Sequence, residues 1–177
     1  MPSVRRIEIA DGDLGTEQTV DTMAVLIRDG ALTPAVRRAA TAIVADIPDP
    51  MRQLLALRSW LTSHFQFVRD PASGELLHEP GHLLGQIRTQ GRAIGDCDDA
   101  AILAGALACS VGFRVALIVV AVDDGSAQPM GDPPYSHVWA SMAAPSGPAQ
   151  WMQFDITRPA QYDPTTAIRR ARAFPIC

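Results

Sequence analysis

One junction constrains the fold more than any other part of the chain. From Asp98 to Val111 the sequence is apolar almost all round a helix, through Ala100, Ile102, Leu103, Ala106, Leu107 and Ala108. A helix without a polar face is a buried one. Gly112 ends it, and Phe113 to Val122 follows as an apolar and β-branched run, continuous from Val115 onward, the pattern of a central strand covered on both faces. A buried helix leading straight into a buried strand needs a layer of other elements around it. The 177 residues, 47% of them hydrophobic, suffice for one such core and not for two.

The first half supplies helices. Residues 16–29 put Val20, Met23, Ala24 and Ile27 on one stripe, with Gly30 as a stop. Thr33-Pro34 is a cap followed by a first-turn proline, and that pattern runs to about Ile47. Pro48 and Pro50 break the chain before a third helix that buries Leu54, Leu55, Leu57, Trp60 and Leu61. The helical part thus covers residues 16–63. Phe65 to Val68 reads as a short strand. Residues 71–95 are rich in Gly, Pro and polar side chains, with a short helix at His82 to Arg88. After the central strand, 123–134 is a loop by composition, and Ser136 to Met142 and Trp151 to Ile156 are short alternating strands. Residues 159–177 carry Arg169, Arg170 and Arg172 without periodicity and read as an irregular tail. Helices, a buried helix and three antiparallel strands make an α+β arrangement in a single domain spanning 1–177.

The charge balance narrows the partners. Fifteen basic residues stand against 19 acidic ones, a net charge of -4, which argues against a nucleic-acid binder built on phosphate contacts. Every basic residue is Arg, and the chain has no Lys and no Asn. Schiff-base lysines, P-loop lysines and a catalytic asparagine are therefore excluded. Cys97, Cys109 and Cys177 have no framework spacing; Cys109 reads as a core residue and Cys177 as an exposed one. No apolar stretch follows Arg5 and Arg6, and the longest apolar run falls far short of the ~20 residues that span a bilayer. The expectation is a soluble protein in a reducing, cytoplasmic setting, without a membrane partner.

Three residues carry the candidate chemistry. Cys97 lies in Gly95-Asp96-Cys97-Asp98-Asp99, directly before the buried helix, where unpaired N–H groups and the helix dipole favour a thiolate. The neighbouring aspartates oppose that and read as structural. A lone cysteine is also readable as a small buried hydrophobe. The strands strengthen the chemical reading. His137, Trp139 and Ser141 share one strand face, and Trp151, Gln153 and Asp155 share another. Pairing Met142 with Gln150 in a hairpin sets Asp155 opposite His137, near enough for a carboxylate to hold an imidazole. Nucleophile, base and orienting group then follow the general triad logic. The Cys97 N–H offers one oxyanion donor, and Gln90 is a candidate for a second. Asp96, Asp98 and Asp99 with His137 and Asp155 fit no established metal motif, so neither metal nor cofactor is expected.

Gly-Asp-Cys-Asp-Asp, the Ala/Leu helix ending in Gly112, His137-Val138-Trp139 and Trp151-x-x-Phe154-Asp155-x-Thr157 resemble the transglutaminase-like superfamily, in particular its small bacterial and phage members. The likeness runs from about Leu55 to Thr157 and includes Phe65-x-Phe67 and Asp70-Pro71. It implies a papain-like fold, in which N-terminal helices and the Cys-bearing helix pack on an antiparallel sheet. It further implies Cys97, His137 and Asp155 as the triad and acyl transfer on an amide through a thioester. On that basis the chain is expected to be a cysteine peptidase or amidase acting on a protein or peptide. The alternatives are a protein-glutamine transamidase and a non-catalytic structural or adaptor protein of phage type. The chain shows no β-sandwich domains and no recognisable calcium-binding loops, which favours hydrolysis over calcium-dependent crosslinking.

Overall fold

The computed structural model of the protein describes residues 4–7, 12–70, 75–122, 134–146, 150–157 and 168–177. Its elements run β1 (Val4–Ile7), α1 (Gly12–Leu32), α2 (Pro34–Val44), α3 (Pro50–His64), β2 (Phe65–Phe67), β3 (Glu75–His78), α4 (Pro80–Gln90), β4 (Ala93–Gly95), α5 (Cys97–Ser110), β5 (Arg114–Val122), β6 (His137–Ala143), β7 (Met152–Phe154) and β8 (Ile168–Pro175). A four-stranded antiparallel sheet has the order β7-β6-β5-β8, β1 pairs antiparallel with β3, and β2 pairs parallel with β4.

The helix without a polar face is indeed the centre. α5 touches α1, α2, α3 and α4 on one side and β5 and β6 on the other. Ile102, Leu103 and Leu107 are fully buried, each worth roughly 1.5–3 kcal/mol for leaving water. Val115, Leu117 and Val119 of β5 and Val138, Ala140 and Met142 of β6 join the same core. This α+β layer is what the alternation of apolar segments predicts.

Several local expectations change on contact with tertiary structure. Gly30 does not stop α1, which runs on to Leu32. Its missing Cβ instead lets Pro80 approach, since any side-chain carbon there would overlap the proline ring. α2 begins as expected, with the Thr33 hydroxyl accepting from the Val36 N–H, but ends at Val44. Pro50 starts α3 rather than breaking the chain, because Asp49 Oδ1 accepts from the Arg52 N–H at 2.8 Å and a first-turn proline has no N–H to lose. Leu55, expected in the buried face of α3, is 50% exposed.

The largest corrections lie at the C-terminal side. Part of the expected irregular tail is β8, which pairs with β5 from Ala116↔Pro175 to Val122↔Ile168 and gives the sheet a fourth strand. Its arginines are tied down: Arg170 bonds Asp13 at 2.7 Å and Arg172 bonds Glu17 at 2.6 Å, both on α1. Cys109 and Cys177, expected as independent thiols, form a disulfide across 68 positions of sequence. Disulfides persist in oxidising surroundings, so this pairing runs against the reducing, cytoplasmic expectation. Among the described residues no helix is long and apolar enough to cross a membrane.

Candidate active site

The site forms where α5 begins beside β6. Asp96 caps the helix, its Oδ1 accepting from the N–H groups of Asp98 at 3.0 Å and Asp99 at 3.4 Å. Cys97 is therefore the first helical residue and sits at the positive end of α5. Gly95, the last residue of β4, cannot carry a side chain: a Cβ would collide with the Asp99 carboxylate. The backbone thus turns from strand to helix over a folded-back aspartate, and the turn aims Cys97 at β6. There the Val138 N–H lies on the Cys97 side and favours the thiolate.

His137 is the residue next to Val138. Its Nε2–H donates to Asp155 Oδ2 at 2.7 Å, with side-chain exposures of 6% and 8%. The other carboxylate oxygen of Asp155 accepts from the Thr157 N–H at 3.2 Å and the Thr157 hydroxyl at 2.9 Å. Burial works against the charged carboxylate, but the His137 hydrogen bond and charge, with both Thr157 bonds, hold Asp155 below the usual carboxylate range. The Trp139 ring lies 5.8 Å from the imidazole. Among the described residues, His137 Nδ1 has no hydrogen-bond partner.

The pairing differs from the expected one by two residues. Met142 pairs with Met152 and Ala140 with Phe154, so Asp155 stands diagonally from His137 rather than opposite it. A slip of two preserves the strand face, and the diagonal remains within side-chain reach. Trp151 is 48% exposed, with Arg114 over its ring at 5.9 Å. It lies toward the far end of the sheet from His137.

Cys97 itself behaves differently from the sequence expectation. Burial pushes its thiol strongly upward, and the charges of Asp98 and Asp96 add to the effect, against the Val138 hydrogen bond. The dipole of α5 does not outweigh them. The thiol donates to Asp98 Oδ1 at 3.6 Å; among the described residues no hydrogen bond joins it to His137. Gln90 ends α4 exposed to solvent, and among the described residues no hydrogen bond joins it to Cys97 either. Of the loop expected at 123–134, residues 123–133 lie outside the described residues.

One atom each from Asp96, Cys97 and Asp98 lies within 4.8 Å of the others, close enough to share a cation. Two of the three are already engaged, Asp96 as the helix cap and Asp98 as acceptor of the thiol. His137 and Asp155 are not part of that group.

Sequence reasoning missed a second buried pair. Asp99 is 0% exposed, and its two oxygens accept from the His78 N–H at 2.8 Å and from His78 Nδ1–H at 2.7 Å. A signal existed: in a helix buried all round, Asp99 shares the stripe of Ile102, Leu103 and Ala106, and a buried carboxylate requires a partner. Thr157, the second donor residue on Asp155, was legible only as part of a motif.

Residues 37–156 match the family described as the Transglutaminase-like superfamily. Among solved structures, a crystal structure of a candidate cysteine protease from Cytophaga hutchinsonii is similar with a TM-score of 0.51 and 15% sequence identity, over 80% of this chain and 40% of that one. That likeness is one of fold. No curated protein matches the chain.

Proposed function

The chain belongs to the transglutaminase-like superfamily, and from that premise we propose that it is a cysteine-dependent acyl-transfer enzyme, a peptidase or amidase with Cys97 as nucleophile, His137 as base and Asp155 as the group that orients the base. The observation that carries this reading is the buried His137–Asp155 hydrogen bond of 2.7 Å, one residue along β6 from Val138, whose N–H acts on the Cys97 thiol.

The raised thiol indicates how the reaction starts. Cys97 rests protonated, so the proton leaves as the sulfur attacks instead of beforehand, with His137 Nδ1 as general base. The S–C bond forms, the proton passes to the imidazole, and Asp155 stabilises the resulting imidazolium. The C–N bond then breaks as His137 returns the proton to the leaving amine, and a thioester remains. Water attacks the thioester, gives its proton to His137, and releases the acid and the thiol. The Cys97 N–H has no hydrogen-bond partner among the described residues, which leaves it for the oxyanion. An amine in place of water would yield transamidation by the same steps.

An activated ester, p-nitrophenyl acetate, tests the assignment. Acylation located by peptide mass spectrometry should fall on Cys97, vanish in Cys97→Ala, and slow about a hundredfold or more in His137→Ala. Acylation elsewhere, or at equal rate in His137→Ala, would sink the proposal. Release of the acyl group as acid or, with added amine, as amide separates hydrolysis from transfer.

A further inference from the structure

Cys97 is flanked on its other side by a network that the proposed chemistry does not use. Asp99 holds the backbone and the ring of His78, the last residue of β3. The His78 ring stacks on His82 at 5.0 Å. The Gln86 amide donates to His82 Nε2 at 3.0 Å, and its oxygen accepts from the Ile94 N–H at 2.8 Å. Ile94 precedes Gly95, whose bare Cα accommodates the Asp99 carboxylate. The path leaves α5 at Asp99, passes through β3 and α4, and returns to the chain three residues before Cys97. The Gly95–Asp99 corner is thereby held from both ends.

We infer that His78 and Asp99 are positioning residues for the Cys97 nucleophile, setting its place and the charge around it by clamping the strand-to-helix corner. This inference rests on the reading of Cys97 as nucleophile. The charge argument is specific. Asp70, Asp96 and Asp99 all act on the His78 imidazole, and the Asp99 hydrogen bond is the largest cause of its raised pKa; His82 is the other titratable ring against it. Below that raised value the pair is imidazolium and carboxylate, with no net charge. Removing the imidazole exposes Cys97 to one more buried negative charge two residues away, in a place where Asp96 and Asp98 already disfavour the thiolate.

The test is iodoacetamide alkylation of Cys97, quantified at that residue by mass spectrometry from about pH 5 to 10. His78→Gln should slow alkylation about tenfold at pH values below the titration of the His78 ring. His78→Gln with Asp99→Asn restores a neutral, hydrogen-bonding pair and should return that rate to the wild-type value. A packing role alone would not give this rescue. A rate unchanged in His78→Gln, or unrestored in the double variant, overturns the inference. If His78→Gln does not fold, the wild type supplies the answer: the alkylation profile should inflect where the His78 ring resonance titrates, and a profile without that inflection overturns the inference equally. The two proposals fail separately. A wild type that forms no acyl-enzyme but whose alkylation depends on His78 removes the activity and keeps the clamp; acylation and alkylation indifferent to His78 do the reverse.

Discussion

Two histidine–aspartate pairs approach the N-terminus of α5, and they differ in how each carboxylate is used. Both have an N–O distance of 2.7 Å. In the pair on the sheet side, Asp155 divides its oxygens between His137 and Thr157, so the carboxylate is fixed independently of the imidazole it orients. His137 is left with Nδ1 to act on something else. In the pair behind the helix, Asp99 gives both oxygens to His78, one to its ring and one to its backbone, and the ring stacks on His82. The same two residue types become a base with its support in one place and a clamp in the other. The satisfaction of the second oxygen separates them, and spacing in the sequence does not encode it.

Exchanging the damage between the pairs should separate the two roles most sharply. His137→Ala is expected to cost about a hundredfold or more in acylation, with modest loss of stability because Asp155 retains both Thr157 donors. His78→Ala removes one partner of a buried pair whose aspartate has no exposure, and is expected to destabilise by about 3 kcal/mol in urea unfolding. Equal losses of stability in the two variants would break the comparison.

The aspartate that caps α5 gives a smaller effect with a definite sign. Burial, with the charges of Asp99 and Asp70, raises Asp96 to about 7, whereas an unfolded aspartate titrates near ~3.9. Between those values the folded state holds a proton that the unfolded state has released. Stability therefore falls as pH rises from about 4 to about 7, and levels off above. Asp96→Asn keeps a cap of equal quality and should abolish that slope. It also removes one charge acting on Cys97, so alkylation near neutrality should quicken about threefold, the equivalent of about half a unit in the thiol's acidity. A slope that survives in Asp96→Asn assigns the titration to another group.

The legible parts of this molecule were those that adjacent residues decide. α5 and β5 follow from one apolar run each, and the cap of α2 from Thr33-Pro34. The His137–Asp155 contact survived a two-residue error in pairing because face depends only on parity. What escaped was set by distant partners. Nothing near Cys177 indicates Cys109, and the exposed edge strand β8 has an Arg-rich pattern too weak to read alone. The hydrogen bond between His78 and Asp99 spans 21 positions, with α4 folded between them. The pull of the dipole on Cys97 was a sound local argument, outweighed by burial that only the packed site reveals.

The smallest effect at the site should come from the one covalent constraint on α5. The Cys109–Cys177 bond closes a loop of 68 positions, and its loss is expected to lower stability by about 4 kcal/mol on the chain-entropy argument. It holds the C-terminal end of α5 to the residue after Ile176, whereas both histidine–aspartate pairs act at the N-terminal end, three turns away along the helix axis. Cys109→Ser with Cys177→Ser should therefore lower the urea midpoint and leave the rate of Cys97 alkylation at each pH where it is. The opposite result would be instructive. If that rate falls as far as in His78→Gln, the placement of the nucleophile depends on α5 as a whole, and the distinction between a working pair and a clamping pair loses its basis.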